Sequence, residues 1–508
     1  MSTALRNAEK YVCLPDPRIA VPGPKTDVVK TGPSHVSYQT VTTADPTSYS
    51  PRFEISPPSI AVGINRRMRL RSVGVLTIVG TGLDTLTKTP SVALRQNALQ
   101  ASMADLWCSV DGSTATLGPI SLYVPQLASV ANTSASMAGE GSTFPSSPDV
   151  VFDYNDAVGF SGSVFESIAN ASYGDETING RTAGLIGITL TGTTSLAVAF
   201  DFAEELLVSP FAAGPDESPY LFGVQSLAVG YTMSMFHRML SIALQGTATI
   251  TGVSAAFTRQ ELQCAFVAPS DMSVVGRPRA FEYNHTDVRY FTNAYGGTVA
   301  SDALFTMSST QIPLATIPDR FVIAATWSLA DLQDATKSLA DVCFPLEALS
   351  VTYGQRAGLL AGATSIDLWE VTRRAGGRAK YPIWAGRNSV TSTSTTLQSL
   401  AGAPFIVDVA ADLSLPEGVS PGQSLRTMLS FTATFRNQSR SGVVNPRLVV
   451  LALTGGRLTT SNADSQFSVG GVASTASRDA KTLPLLMDEA VREMSLTEGY
   501  AGGRVKHL

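Results

Sequence analysis

Charge is scarce in this chain. Asp, Glu, Lys and Arg make up 15% of its 508 residues, against about 25% in an ordinary soluble domain. A surface so poor in charge favours association over life as a dispersed monomer. Lysine is missing between Lys88 and Lys337, and the net charge is −5. With no basic stripe, the sequence carries no footprint for nucleic acid. Cysteine is scarce too. Cys13, Cys108, Cys264 and Cys343 are widely spread, with no C-x-x-C pair, which excludes a zinc knuckle or a disulfide framework. Those in strands are expected to be reduced core residues. The four histidines, His35, His237, His285 and His507, are too scattered to suggest a metal cluster and read as solvated or capped. No apolar run approaches 18 residues, so no membrane-spanning helix is predicted. The first residues lack a basic segment followed by an apolar one, so no secretory signal is expected.

Ser, Thr, Gly and Pro fill the space that charge leaves, while the apolar share is 44%. Such a chain can bury large cores, and its length points to more than one domain. Residues 1–54, rich in Pro, Thr and Ser, read as an extended arm. From residue 55 the pattern is β. In "NRRMRLRSVGVLTIVGTG", Met68 and Leu70 alternate with Arg69 and Arg71, and a buried Val/Ile run is expected to follow. "LWCSVDGSTATLGPISLYV" reads as strand, turn, strand, with Asp111-Gly112 as the hairpin signal. "SLAVGYTMSMF" alternates with period two, which predicts a half-buried strand. "ELQCAFVAP" points Leu262, Cys264 and Phe266 inward and stops at Pro269. "TMLSFTATFRN" does the same with Leu429, Phe431, Ala433 and Phe435.

Residues 125–165 are Ser/Ala/Gly-rich and aperiodic, predicting a long loop, and 270–300 read as a connector. Helical signals are few. "ATSIDLWEVTRRAGG" has a Ser/Thr start and a double-Gly stop; "SLADLQDATKSLADV" and "LPLLMDEAVREMSL" are two more candidates. The last follows a Ser/Gly/Ala-rich link at 461–479. The organisation predicted is an arm at 1–54, a β-sandwich at 55–272, a second at 273–470, and a link with an amphipathic helix at 471–508.

The carboxylates are the candidates for catalytic chemistry, because some β-sandwiches hydrolyse sugars with a pair of them. Glu204 and Glu205 adjoin in "DFAEELL", but neighbours in a strand face opposite ways and cannot line one cleft. Asp149, Asp153 and Asp156 cluster in a stretch that reads as solvated loop. "VGTGLDT", from Val79, lacks the third glycine and the βαβ setting of a dinucleotide site. Arg66, Arg67, Arg69 and Arg71 form the densest basic cluster and read as a solvated strand face or a subunit contact. No catalytic, cofactor-binding or metal-ligating residue is therefore assigned, no cofactor is expected, and the chain is not expected to be an enzyme.

One stretch resists a simple strand reading. "QIPLATIPDRFVIAA" carries Pro313 and Pro318 inside an apolar run, where proline fits only an edge, a start or a bulge. It is followed by "FPLEALSVTYGQRAGLLAGATSIDLWEVTRRAGG". Together these resemble the second half of double jelly-roll major capsid proteins, above all those of polinton-like elements, adintoviruses and virophage-like viruses. Ile317, Pro318, Asp319 and Arg320 match that family's turn; Gly358, Leu359 and Leu360 its corner; Asp367, Leu368 and Trp369 its helix. Trp369 stands where tyrosine is usual, and Tyr353-Gly354-Gln355-Arg356 where an Asn pair is commoner. The likeness runs in order from about residue 55 to about residue 470. It implies an all-β fold of two tandem eight-stranded jelly rolls with few short helices in loops, and Pro318 at a change of sheet partner. It also implies a major capsid subunit of an icosahedral virus, located in the virion shell and made in the host cell without secretion. Such a subunit would form a homotrimeric, pseudo-hexagonal capsomer and meet neighbouring capsomers, a penton protein and minor or cement proteins. From the residues alone, a two-domain carbohydrate-binding or carbohydrate-active sandwich stays open as the alternative.

Overall fold

The computed structural model describes residues 33–59, 62–83, 92–94, 97–130, 185–211, 220–242, 249–269, 281–300, 303–334, 343–377, 379, 381–385, 402–413, 415, 421–423, 427–437, 443–461 and 464–469. Its strands fall into two groups. The first holds β1 (Pro33–Thr42), β2 (Arg52–Ile55), β3 (Gly63–Asn65), β4 (Arg69–Thr81), β5 (Val92–Leu94), β6 (Met103–Val110), β7 (Ser113–Leu117), β8 (Leu185–Thr191), β9 (Ser195–Glu205), β10 (Tyr220–Leu221), β11 (Leu227–Met233), β12 (Leu240–Ile242) and β13 (Thr249–Pro269). The second holds β14 (Phe281–Ala294), β15 (Leu304–Ser308), β16 (Ile312–Leu314), β17 (Arg320–Trp327), β18 (Leu346–Tyr353), β19 (Arg356–Leu359), β20 (Phe405–Asp408), β21 (Thr427–Arg436), β22 (Pro446–Ser461) and β23 (Asp464–Val469).

The two groups share one plan. In the first, β1 pairs with β13, β13 with β4, and β4 with β9; the facing sheet runs β2–β11–β6–β7. In the second, one sheet runs β14–β22–β17–β20 and the facing one β15–β21–β18–β19. Matching positions in sequence take matching positions in space, and these pairings are all antiparallel. Each group therefore wraps eight principal strands into two facing sheets, a jelly roll.

Several sequence expectations change here. Within residues 270–300, read as a connector, Phe281–Ala294 form β14; Val124–Ala128 form a helix at the start of the loop read at 125–165; and Asp464–Val469, inside the link read at 461–479, form β23. Residues 33–42, read as part of an extended arm, form β1, in register with β13 from His35 opposite Ala268 to Thr42 opposite Glu261. Backbone hydrogen bonds hold this strand, so it needs few large apolar residues of its own. "QIPLATIPDRFVIAA" is two strands, and they lie in facing sheets. β16 pairs with β21 and β17 with β22 and β20. Pro313 sits in β16, which among the described residues pairs with β21 alone, so its missing N–H leaves no gap in a ladder. Pro318 lies in the crossing, where the Ile317 amide donates to the Gln423 carbonyl at 3.0 Å and the Asp319 amide to Leu453 at 2.8 Å.

Burial follows the alternation in most strands and exceeds it in a few. β4 alternates along its whole length, with Leu70, Leu76 and Ile78 buried and Val79 exposed, rather than passing into a wholly buried run. In β11, read as half-buried, residues on both faces are buried. Its outer face is covered by Trp107 of β6, whose ring lies over Gly230; a Cβ there would meet that ring at 2.4 Å. Arg52 in turn stacks on Trp107, 5.7 Å from the ring centroid. The hairpin between β6 and β7 turns on Asp111 and Gly112, both at positive φ, as a tight primed turn requires. The "SIDLWEVTRR" helix spans Ser365–Arg374; Thr364 and Asp367 form a capping box and Gly376 follows at φ 102. "SLADLQ" yields only the five-residue helix Leu329–Gln333. The C-terminal helix candidate, residues 125–165 beyond 130, and the link beyond 469 lie outside the described residues.

Candidate functional site

Glu204 and Glu205 point apart. The Glu204 carboxylate is fully buried and accepts from the Leu99 amide at 3.0 Å, the Gln100 amide at 2.8 Å and the Gln100 side-chain amide at 3.1 Å. It thereby holds the first turn of the short helix Ala98–Ala101. Burial pushes its pKa up to about 7, although those donors favour the charged form. Glu205 instead lies 3.9 Å from Arg69. Asp149, Asp153 and Asp156 lie outside the described residues. Val79–Thr81 close β4, and the "VGTG" stretch is a strand end. Cys108, Cys264 and Cys343 are buried and form no disulfide; burial pushes Cys108 to about 12 and Cys264 to about 11. Cys13, His507 and the side chain of His35 are outside the described set. His237 meets the Leu332 carbonyl at 2.8 Å. His285, read as solvated or capped, is buried with its ring 4.8 Å from Phe467, and desolvation lowers its pKa to about 4.

The most developed polar geometry is the joint between the two rolls. Here sequence reasoning assigned nothing. The outer face of the β14–β22–β17–β20 sheet packs on the first roll. Val322, Ile406, Val449 and Leu451 are at most 1% exposed and belong to the same cluster as Leu70, Phe200 and Phe202 of the first roll. The opposite faces of the same strands, with Phe321, Ile323, Val407 and Val450, fill the second core. This sheet is thus buried on both sides, which explains why "FVIAATW" and "RLVVLAL" read as continuous apolar runs.

Two buried arginines pin the joint. Arg447 of β22 donates to Thr326 Oγ1 at 3.1 Å, to the Tyr290 hydroxyl at 2.8 Å, and across the joint to the Leu122 carbonyl at 2.8 Å. Arg66 of the first roll donates to the Pro210 carbonyl at 2.7 Å and across to the Asn284 carbonyl at 3.2 Å, lying 5.8 Å from the Tyr283 ring centroid. A guanidinium can satisfy several fixed carbonyls at once, so arginine suits this role. Further ties are Phe222 N to the Tyr283 hydroxyl at 2.6 Å, Thr460 Oγ1 to the Phe222 carbonyl at 2.6 Å, Ser465 Oγ to Asp111 at 2.6 Å, and Phe467 N to Ser113 Oγ at 3.1 Å. Tyr123 stacks on Tyr290 with centroids 5.1 Å apart.

The basic cluster thus divides. Arg66 is buried in this joint rather than solvated. Arg71 pairs with Asp201 at 2.7 Å and reaches Glu261 at 3.6 Å, and its pKa is raised by that hydrogen-bonded carboxylate. Among the described residues no three His, Cys, Asp or Glu side chains gather as metal ligands, and no helix is long and apolar enough to cross a membrane.

Two rolls of identical strand order, locked by a shared sheet, decide the architecture. The fold is a double jelly roll. Residues 288–456 match the family model of the major capsid protein V20 C-terminal domain. Capsid protein V20 of Sputnik virophage is 23% identical over 494 residues, covering 90% of this chain and 79% of that protein. Among solved structures, a chain of the Sputnik virophage particle superposes with a TM-score of 0.76 at 19% identity, covering 91% of this chain and 93% of that one. The mavirus major capsid protein gives 0.62 at 13% identity, over 91% and 94%. The double jelly roll of this chain therefore matches those capsid subunits over nearly its full length.

Proposed function

We propose that this chain is the major capsid subunit of an icosahedral virus and that its activity is assembly. The observation that carries the reading is the repeated strand order, with its two rolls joined as one body, over the same span that matches the Sputnik and mavirus capsid chains. A single chain with two like rolls offers two of the six positions of a pseudo-hexagon, so three copies close a ring. Permanent interfaces of this kind bury roughly 2,000 Å² or more, and the low charge of the chain lowers the desolvation cost of such burial. The first roll runs from β1 to about residue 272 and the second from there to about 470. Residues before β1 and after 470 would connect capsomers or face the interior. Penton and minor capsid proteins are the further partners, and the virion shell is the site of action.

Native mass and negative-stain microscopy of the chain expressed alone test this. A trimer weighs three times 53.4 kDa, or 160.2 kDa, and should appear as hexagonal particles. Isolated bilobed monomers of 53.4 kDa at every concentration would overturn the reading.

A further inference from the structure

β23 is the last strand among the described residues, and it closes the second roll over the first. It pairs with β22, from Ser461 opposite Asp464 to Gly456 opposite Val469. Beyond that ladder it reaches the hairpin of β6 and β7. Ser465 Oγ donates to the Asp111 carboxylate at 2.6 Å, and the Phe467 amide donates to Ser113 Oγ at 3.1 Å. Asp111 also accepts from the Gln225 and Ser226 amides at 2.8 Å each, so β23 is tied to a fixed turn.

A ring contact backs these ties. His285 of β14 stands opposite Gly456 of β22, and Phe467 stands opposite Leu458 on the far side of the same strand. Directly opposed residues share a face of the sheet. Gly456 has no side chain to part them, so the two rings meet across β22 with centroids 4.8 Å apart. The imidazole is 7% exposed, and among the described residues its Nδ1 has no hydrogen-bond partner. A neutral ring tolerates that seat, whereas an imidazolium brings a charge and a second donor to satisfy.

Few charged groups share this face. On β14 they are Tyr283 and Asp287; Asp287 favours the charged ring but is paired with Arg289 at 3.2 Å. On β22 the positions are Gly456 and Leu458, and on β23 they are 465, 467 and 469, none of them titratable. The Arg457–Glu282 pair takes the alternate positions and lies on the reverse face. From the first roll come Asp111, held by Ser465, and Arg66, which lies over Tyr283 and donates to the Asn284 carbonyl at 3.2 Å. Of the strands that meet here, β23 is the one able to yield. β14 runs for 14 residues along β22 and is tied to the first roll by Arg66 and by the Thr286 amide, which donates to Ser209 Oγ at 3.0 Å. β23 has 6 residues.

We infer that His285 is an acid-opened clasp: its protonation unseats β23 from the β6–β7 hairpin and admits water to the ring. One tie between the rolls is then undone while both cores stay folded. The inference holds whether or not the chain assembles with copies of itself.

Hydrogen exchange of the full chain at pH 7 and pH 5, read by mass spectrometry and corrected for the intrinsic effect of pH, tests this. The imidazole falls from its ordinary 6.5 to about 4 on burial, so each pH unit below 6.5 favours the open form about tenfold. Protection of residues 464–469 is expected to drop about 30-fold at pH 5, while residues 320–327 of β17 stay protected. His285→Phe keeps a ring in place without the titration and should hold its protection at both values. Phe467→Ala should show the acid pattern already at pH 7. Unchanged protection of 464–469 in the unaltered chain overturns the inference. So does an equal drop in His285→Phe, which would move the response to Asp111. Opening of 320–327 in step with 464–469 also overturns it, because the acid response would then be global unfolding.

Discussion

Burial opposes the ionisation of Glu204 and of His285, and the two act on stability in opposite directions. The carboxyl of Glu204 is raised from 4.5 to about 7. Between those values the folded chain keeps a proton that the unfolded chain has lost. The contribution is therefore complete below about pH 4.5 and fades as pH climbs toward 7. The imidazole of His285 is lowered from 6.5 to about 4. Here the unfolded chain takes up a proton first, so stability is complete above about pH 6.5 and fades as pH drops toward 4. Each full shift is worth about 3 kcal/mol. Glu204→Gln imitates the protonated carboxyl, so its melting midpoint relative to the unaltered chain should rise as pH goes from 4.5 to 7. His285→Phe should lose part of the acid sensitivity between pH 6.5 and 4. Parallel pH profiles for variant and unaltered chain would refute either assignment. Neither environment was legible in the sequence. The strand pattern shows that Glu204 turns inward but not that Leu99 and Gln100 wait there, because they come from a turn over 100 residues away.

Elements were more readable than their surroundings. The Asp111-Gly112 hairpin, the capped helix at 365–374, and the inward residues of β13 and β21 follow from local rules of turn, cap and period. Local rules failed where a second layer intervened. β11 looks amphipathic because Ala228, Gly230 and Thr232 are small or polar, yet Trp107 covers that side. β1 was missed because its neighbour, not its composition, holds it in the sheet. The glycine in β11 gives an element-scale test. Gly230→Ala forces a methyl group into the Trp107 ring, and overpacking of this kind costs about 2 kcal/mol. The melting midpoint should fall and tryptophan emission should shift red as the ring is displaced. Adding Trp107→Leu should recover most of the loss; an unchanged midpoint in the single variant would show that the ring moves freely.

At the scale of the molecule, the two rolls behave as one body because a single sheet serves both. The sequence showed two runs of strands, but not that the outer face of the β14–β22–β17–β20 sheet would close on the first roll. Arg447 tests how tightly they are coupled. Arg447→Leu removes three donors and strands the Leu122 carbonyl and Tyr290 hydroxyl, at a cost of about 3 kcal/mol. Calorimetry of the unaltered chain should give one transition; the variant should melt earlier and its peak should broaden as the rolls begin to open separately. A single, unshifted transition would mean the apolar contact alone holds them.

The pairing of β1 with β13 also sets a schedule for synthesis. Residues 33–42 find their partner only in residues 261–269, so the opening strand must wait on the ribosome until almost the whole first roll has emerged. The same delay recurs between β14 and β22. Each nascent roll spends that interval with a bare edge, and crowded polysomes are where strand exchange between neighbouring chains would be hardest to avoid.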